Sequence, residues 1–472
     1  MANTLTKTFI VAAAAACALT TSAHAAVTIS TDPTKNENCS GGVCTPTDKN
    51  ANINVGDLQG MLAASDITVK TGAGAVAIGV DAPLTWSNTH RLTLDSIGFV
   101  HIKAAVVIEG TGALTLTTND GGSGGDLVFE DGGTVDFWDL SSNLVVNGAQ
   151  YTLVNDIDTL AADIAADPSG NFALAANVTP HRMYSTVIPT AYSGTFEGLG
   201  NTISGLTVKT TLFTDIQGTV RDLILAQETV TRGEGGLAPV NHGSILNVSA
   251  DVSVSGVCTG GLVGTNAGTI RGSHVSGTVQ GRIKCLSGGI AAVNTGLIAT
   301  SSASAAVTVA SRKSAAGGLV GQNMQAGTIA QSFATGKVSV ASSEHNAGGL
   351  GGLAGFSEGL IVDSYATGKV SGTDGTASGG LIGRGGTANT SYSTGEVVAN
   401  GGHAGGLIAS EGQATNSYWD TDTSGQKRSS AGTKLTDAQL KSALPDGFDP
   451  NVWGQSAGIN NGWPYLLANP PQ

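Results

Sequence analysis

The sequence predicts an all-β, parallel β-helix (β-solenoid) with short capping helices, and three observations carry that expectation. A Gly-Gly-Leu/Ile cluster recurs seven times, beginning at Gly235, Gly260, Gly288, Gly317, Gly351, Gly379 and Gly405, with spacings of 25, 28, 29, 34, 28 and 26 residues. A near-constant period of this length marks units that cannot bury their apolar face alone and do so by stacking. Within each unit, as in GGLVGTNAGTIRGSHVSGTV from Gly260, two or three short β-prone runs alternate with Gly and Asn, and no apolar stripe at helical spacing is long enough for a helix. Composition agrees: 69 glycines and only 12% charged residues suit a narrow stacked coil. Equivalent strands of successive units run the same way, so stacking gives parallel sheets, and seven coils at about 4.8 Å each span roughly 34 Å.

Two columns follow from the period. Six residues after the first glycine, four units carry Asn241, Asn266, Asn294 and Asn323, followed by Gly243, Gly268, Gly296 and Gly327. Stacked Asn side chains can bond along the axis, and Asn and Gly tolerate left-handed turns, so this reads as a structural ladder ending where Ser357, Gly385 and Glu411 take the position. The second column comes from SFATGKV, SYATGKV, SYSTGEV and SYWDTD, which place Phe333, Tyr365, Tyr392 and Tyr418 one above another. With unbroken alternation the rings share parity with Lys337, Lys369 and Glu396 and face outward, as ligand-binding candidates for sugar rings or a partner. A bulge before the charged residue would instead turn them inward as a core stack.

In chain order, residues 1–25 read as a secretory signal peptide: Lys7, a short apolar run from Phe9 to Leu19, and Ala23-His24-Ala25 before a cleavage point. That run is too short to span a membrane, and no other stretch is long and apolar enough, so the mature chain is expected to have no transmembrane span. Export makes the remaining cysteines disulfide candidates. Cys39 and Cys44 bracket a four-residue loop, while Cys258 and Cys285 precede the glycine pairs of successive units and would stack at about 5 Å, within disulfide range. The pairing expected is Cys39 with Cys44 and Cys258 with Cys285.

Residues 26–150 form alternating runs such as RLTLDSIGFVHI and NLVVNG, read as an N-terminal set of coils, with DLQGMLAAS from Asp57 as a helix covering an open edge. GGSGGDLVF from Gly121 fits a calcium-binding β-roll nonapeptide, but no second copy follows to complete a site between copies, so an ordinary glycine turn is the preferred reading. Residues 151–234 connect to the solenoid through a helix from Asp156 to Ala166, and 235–426 are the repeats. The C-terminal cap, 427–472, holds a helix at LTDAQLKSAL with Thr436 and Gln439 as a capping box, and the bulky Trp453, Trp463 and Tyr465 to close the last coil.

GGLVGTNAGTI with SYATGKVSG resembles the GLUG repeat of bacterial surface proteins. YSGTFEGLGNTISGLTV, NSYWDTDTSGQ and WGQSAGINNGWPYLL resemble the flanks of such repeats in filamentous-haemagglutinin-like exoproteins. The resemblance implies a right-handed parallel β-helix exported from a Gram-negative bacterium, often an adhesin. An outer-membrane export partner is a candidate, although the sequence has neither the Asn-Pro-Asn-Gly nor the Asn-Pro-Asn-Leu motif of two-partner secretion and its route across that membrane stays open. It places the protein outside the cell or on its surface, with the periplasm as the alternative compartment. GLUG repeats also occur in immunoglobulin-A-cleaving metallopeptidases, but no His-Glu-x-x-His is present to carry that activity.

The net charge of −13 argues against nucleic acid and anionic membranes as partners. No nucleophile-elbow, phosphate-loop or dinucleotide motif is present, so the expected function is non-catalytic binding of a glycan, matrix or cell-surface ligand, with no cofactor, catalytic residue or metal assigned. The alternative is a polysaccharide lyase or glycosidase. Its carboxylates would be Asp420 and Asp422 beside Tyr418 and Trp419, or Asp131, Asp136 and Asp139.

Overall fold

The computed structural model describes residues 26–120, 122, 124–282, 285–310, 314–341, 348–373, 375–399 and 403–471. The signal segment expected over 1–25 lies outside the described residues, as do Gly121 and Ser123 of the calcium-roll nonapeptide.

The chain is a parallel β-solenoid in two stacked segments. In the first, three strand positions repeat up the axis. One stack runs Ala51–Asn54, Ala26–Ser30, Ala77–Val80, Phe99–Ile102, Leu127–Phe129. A second runs Leu84–Trp86, Val106–Ile108, Val135–Phe137, and a third runs from Ile67–Lys70 through Arg91–Asp95 and Ala113–Thr117 to Asn143–Val146. Alternating Val, Ile and Leu point inward and are fully buried, as with Leu92 and Leu94 of RLTLD. Helix α1 (Val55–Leu62) lies against Leu84–Trp86, the bare edge of the second stack, burying Leu58 and Leu62 and accepting hydrogen bonds at Leu62 O from Asn88. It covers a row of backbone groups that would otherwise invite another strand. Asn54 starts it by accepting from the amides of Gly56 and Asp57.

A hairpin then reverses the strands. Asn143–Val146 pairs antiparallel with Ala149–Val154 across Asn147 and Gly148, both with positive φ. From Ala149–Val154 onward every coil-to-coil pairing up to Thr433–Leu435 is parallel again. Helix α2 (Ile157–Ala166), capped by Asp156, sits beside this junction and buries Ile157, Leu160 and Ile164.

In the repeats the residue after each glycine pair is an interior column: Leu237, Leu262, Ile290, Leu319, Leu353, Leu381 and Leu407, all fully buried. The glycine pairs themselves are explained by contact. A Cβ on Gly318 would sit 2.1 Å from Gly352 O and 2.8 Å from Ala334 Cβ, and one on Gly352 would sit 2.0 Å from Gly380 O. The Asn ladder forms as the spacing predicts. Asn241 Nδ2 donates to Asn266 Oδ1 at 2.7 Å, Asn266 to Asn294 at 2.8 Å, Asn294 to Asn323 at 2.8 Å, and Asn323 reaches Ser357 Oγ at 3.4 Å as the last rung. These Asn are not left-handed, and the glycines after them serve close approach: a Cβ on Gly268 would meet Gly243 O at 2.1 Å. The left-handed corner lies elsewhere, at Asp222, Asn247, Gly272, Thr300, Gln331, Asp363, Thr390 and Asn416.

Immediately after that corner comes a second ladder. The backbone N–H of Ser273 donates to Ser301 Oγ, Ser301 to Ser332, Ser332 to Ser364, Ser364 to Ser391 and Ser391 to Ser417, at 3.1–3.3 Å. At the C-terminal end, α3 (Thr421–Ser424) and α4 (Asp437–Ser442) follow, and the Thr436–Gln439 capping box is made on both sides.

Candidate functional site

The aromatic column is the first place to look. Phe333, Tyr365, Tyr392 and Tyr418 occupy paired positions of successive coils, and the next residue of each strand, such as Ala334, Ala366 and Trp419, faces the solenoid interior. The rings therefore point out, as alternation requires, together with the exposed Lys337 and a Lys369–Glu396 ion pair at 2.7 Å. They stack like the coils that carry them, Phe333 on Tyr365 at 4.7 Å and Tyr365 on Tyr392 at 5.1 Å between centroids.

They are nonetheless buried. Residues 435–466 fold back over the column and lay Leu440, Phe448, Trp453 and Leu466 against it as a separate apolar cluster. Tyr392 Oη donates to Pro464 O at 2.6 Å and accepts from Asn460 Nδ2 at 2.8 Å, Tyr418 Oη donates to Asp446 O, and Trp453 Nε1 donates to Asp363 Oδ1. The assignment of Phe333, Tyr365, Tyr392 and Tyr418 as an open ligand surface is corrected accordingly: they face outward, but the chain's own C-terminal segment covers them.

The carboxylates considered for catalysis, apart from Asp131, are also occupied. Asp420 is buried and caps α3 by accepting from the amides of Asp422 and Thr423, and Asp422 accepts from the amide of Asp437. Asp131 sits exposed in a left-handed turn, Asp136 accepts from Thr134, and Asp139 accepts from Ser141. Asp126 of the nonapeptide accepts from Arg221 at 2.9 Å.

Of the cysteines, Cys39 and Cys44 are disulfide-bonded as direct partners in the hairpin of Glu37–Ser40 and Val43–Pro46. Cys258 and Cys285 are free thiols, which corrects the second expected pairing. The register explains it: Thr259 pairs with Ser287, so Cys258 lies level with Leu286 and Cys285 is one residue out. Cys285 Sγ donates to Leu286 O at 3.3 Å, and the proximity of the two thiols draws that of Cys258 down to about 6 and, with burial, pushes that of Cys285 up.

What remains open is a groove of about 490 Å³ further down the same outer face. Below Phe333 the column continues as Ser302, His274, Ser249 and Ile224. One wall is the turn of residues 129–133 from the first segment, the other is Ala468, Asn469 and Pro470, and the corner residues Asp222, Asn247, Gly272 and Thr300 line the floor's edge. Asn469 holds its wall in place by donating from Nδ2 to Ser301 O and Gln331 O, both at 3.2 Å. A smaller cavity of about 170 Å³ extends it past His274 to Phe333 and Pro471.

Behind the groove lies a buried charge cluster. Arg221 Nε contacts Asp222 Oδ2 at 2.6 Å and Glu197 Oε2 at 3.2 Å, while Asn247 Nδ2 donates to Asp222 Oδ1 at 3.0 Å. Burial, with Asp222 beside it, pushes the Glu197 carboxyl well above its usual range, against the pull of Arg221. Two buried acids sharing one guanidinium and the Asp126 contact tie the two solenoid segments together at their junction. Sequence reasoning missed this groove because its residues come from three stretches of chain. The stacking rule that located the column gave a partial signal, since extending it backwards from Phe333 leads to His274 and Ile224.

Residues 314–339 match the family described as the GLUG motif. Halomucin from Haloquadratum walsbyi is 30% identical over 242 residues, which cover 48% of this chain and 2% of that protein, so the chain spans a very small part of its relative's length. Among solved structures, a protein described as a candidate immunoglobulin A1 protease from Bacteroides ovatus aligns over 68% of this chain and 93% of its own, with 15% identity and a TM-score of 0.38. A second, described as IgA1 Protease, aligns over 55% of this chain and 21% of its own, with 18% identity and a TM-score of 0.34. With the coils and ladders described above, the chain is a β-solenoid that carries a GLUG motif.

Proposed function

We propose that this protein is an exported or cell-surface β-solenoid that binds a glycan, matrix or cell-surface ligand on its outer face without catalysis, after export through an outer-membrane partner. The observation that carries the reading is the groove. It combines an aromatic and an aliphatic side chain, Phe129 and Ile224, with the polar groups of Asn247, Ser249 and His274. Of the carboxylates lining it, Asp222 is held by Arg221 and Asn247, and Glu130 lies 3.4 Å from His101 Nδ1 and 3.8 Å from Lys103 Nζ, which keep it below the usual carboxylate range. Only Asp131 is left, whereas glycoside hydrolysis asks for two converging carboxyls.

A polysaccharide-active enzyme is the second reading, favoured by the raised pKa of Glu197 next to Asp222 at the groove's edge. One experiment separates the two: incubation of the purified chain with a panel of polysaccharides, measuring retention on the polymer and release of new chain ends. Retention without new ends is expected. New ends abolished by Asp222→Asn would overturn the non-catalytic reading.

A further inference from the structure

The groove also limits the chemistry of its ligand, an inference that rests on the binding reading above. Its floor of Ile224, Ser249 and His274 spans three coils, a rise of about 10 Å between the first and last. Phe129, half-buried, and Ile224, exposed at 37%, supply apolar surface on which a ring can lie.

Three polar groups are left for it. His274 is anchored through Nδ1 to Ser302 Oγ at 2.7 Å, which leaves Nε2 for the groove, and burial lowers its pKa, so the imidazole is neutral at pH 7. Asn247 uses its amide nitrogen on Asp222, and its oxygen, which lies against Gly272 of the next coil, accepts no hydrogen bond among the described residues. Ser249 is exposed and its hydroxyl makes no hydrogen bond among the described residues. No Lys or Arg is among the described residues lining the groove: Arg221 behind it is paired through Nε and Nη2 with Asp222, Glu197 and Asp126, and the exposed Asp131 adds negative charge at the rim. An anionic sugar would find no counter-charge there.

We propose that this groove is a subsite for a neutral polysaccharide, one sugar ring lying against Phe129 and Ile224 and its hydroxyls meeting Asn247 Oδ1, Ser249 Oγ and His274 Nε2. A uronate or sulfated polymer is discriminated against by the acidic rim and the absence of a free cation among the lining residues.

The test is calorimetric titration of the full chain with neutral hexasaccharides (gluco-, manno-, xylo- and galacto-) and with galacturonate and sulfated oligomers. It is run on the native protein, on Ser249→Trp, which fills the floor, and on Thr278→Trp, an exposed position outside the groove. Asn247→Gly, which keeps the left-handed backbone, serves if the tryptophan disturbs folding. The expected result is binding of a neutral oligomer, weakened by about tenfold or more in the groove variants and unchanged in Thr278→Trp. Neutral binding untouched by Ser249→Trp and Asn247→Gly would overturn the site while leaving the binding reading standing. Preference for the anionic oligomers would overturn the ligand class. No binding to any polymer would overturn the binding reading and this inference with it.

Discussion

The two solenoid segments solve the same problem with different materials. Residues 26–146 hold their coils in register through side-chain volume, with Trp86, Phe137 and rows of Val, Ile and Leu filling the interior. From Ala238 onward the coils close on glycine pairs and small residues, and polar ladders of Asn and Ser run up the axis beside the leucine column. An apolar core tolerates a changing period, because any side chain of suitable size fills the space. A ladder does not, since each rung must meet the next at hydrogen-bond distance. The repeat is therefore legible as spacing, while the first segment is legible only as alternation.

Breaking the glycine contact should do the greatest damage. Gly318→Val drives a side chain into Gly352 O and Ala334, and we expect a loss above about 4 kcal/mol, seen as insolubility or loss of the cooperative melt. Leu94→Ala empties a filled position of the first segment and should cost about 3 kcal/mol, measured by denaturant titration. Asn294→Ala removes the donor to Asn323 Oδ1 and the acceptor for Asn266, at about 2 kcal/mol, and its effect should appear as faster amide exchange confined to the adjoining repeat coils. If Asn294→Ala is silent while Leu94→Ala is not, the ladder is ornament and the contrast between segments fails.

The smallest effect sits where the two materials conflict. Glu228, in the coil just before the repeats, is fully buried with no hydrogen-bond partner for either oxygen among the described residues, and burial raises its pKa to about 8. The folded chain holds this proton more tightly than the unfolded chain. The stability is thus fully present below the unfolded value near 4.5 and is lost as pH rises through about 8. Glu228→Gln should flatten that loss, read as a melting point that no longer falls between the unfolded value near 4.5 and about pH 8 while that of the native protein does.

Much of the fold could be read from spacing. The period, the Asn ladder, the Thr436–Gln439 box, the Cys39–Cys44 bond and a helix near Asp57 all rest on contacts local in sequence or repeated at one interval. The serine ladder has the same local signal, because Ser332, Ser364, Ser391 and Ser417 each precede an aromatic at the repeat interval. The reversal at Asn147–Gly148 is hidden because one hairpin turn looks like any other glycine turn. The groove is invisible for a different reason: Phe129, His274 and Asn469 meet only after two segments and a returning tail have packed. The cover on the aromatic column is equally non-local, since Tyr392 meets Pro464 across 72 residues.

That cover is the central claim, and the double variant Tyr365→Ala/Tyr392→Ala tests it most directly, with thermal melting and polysaccharide retention measured on the same samples. Both rings are fully buried against Trp453. The account predicts a loss of about 3–5 kcal/mol for each, release of residues 435–466 to protease, and retention that persists below the lowered melting point. An unchanged melt with retention abolished would contradict it, and would make the column the ligand surface.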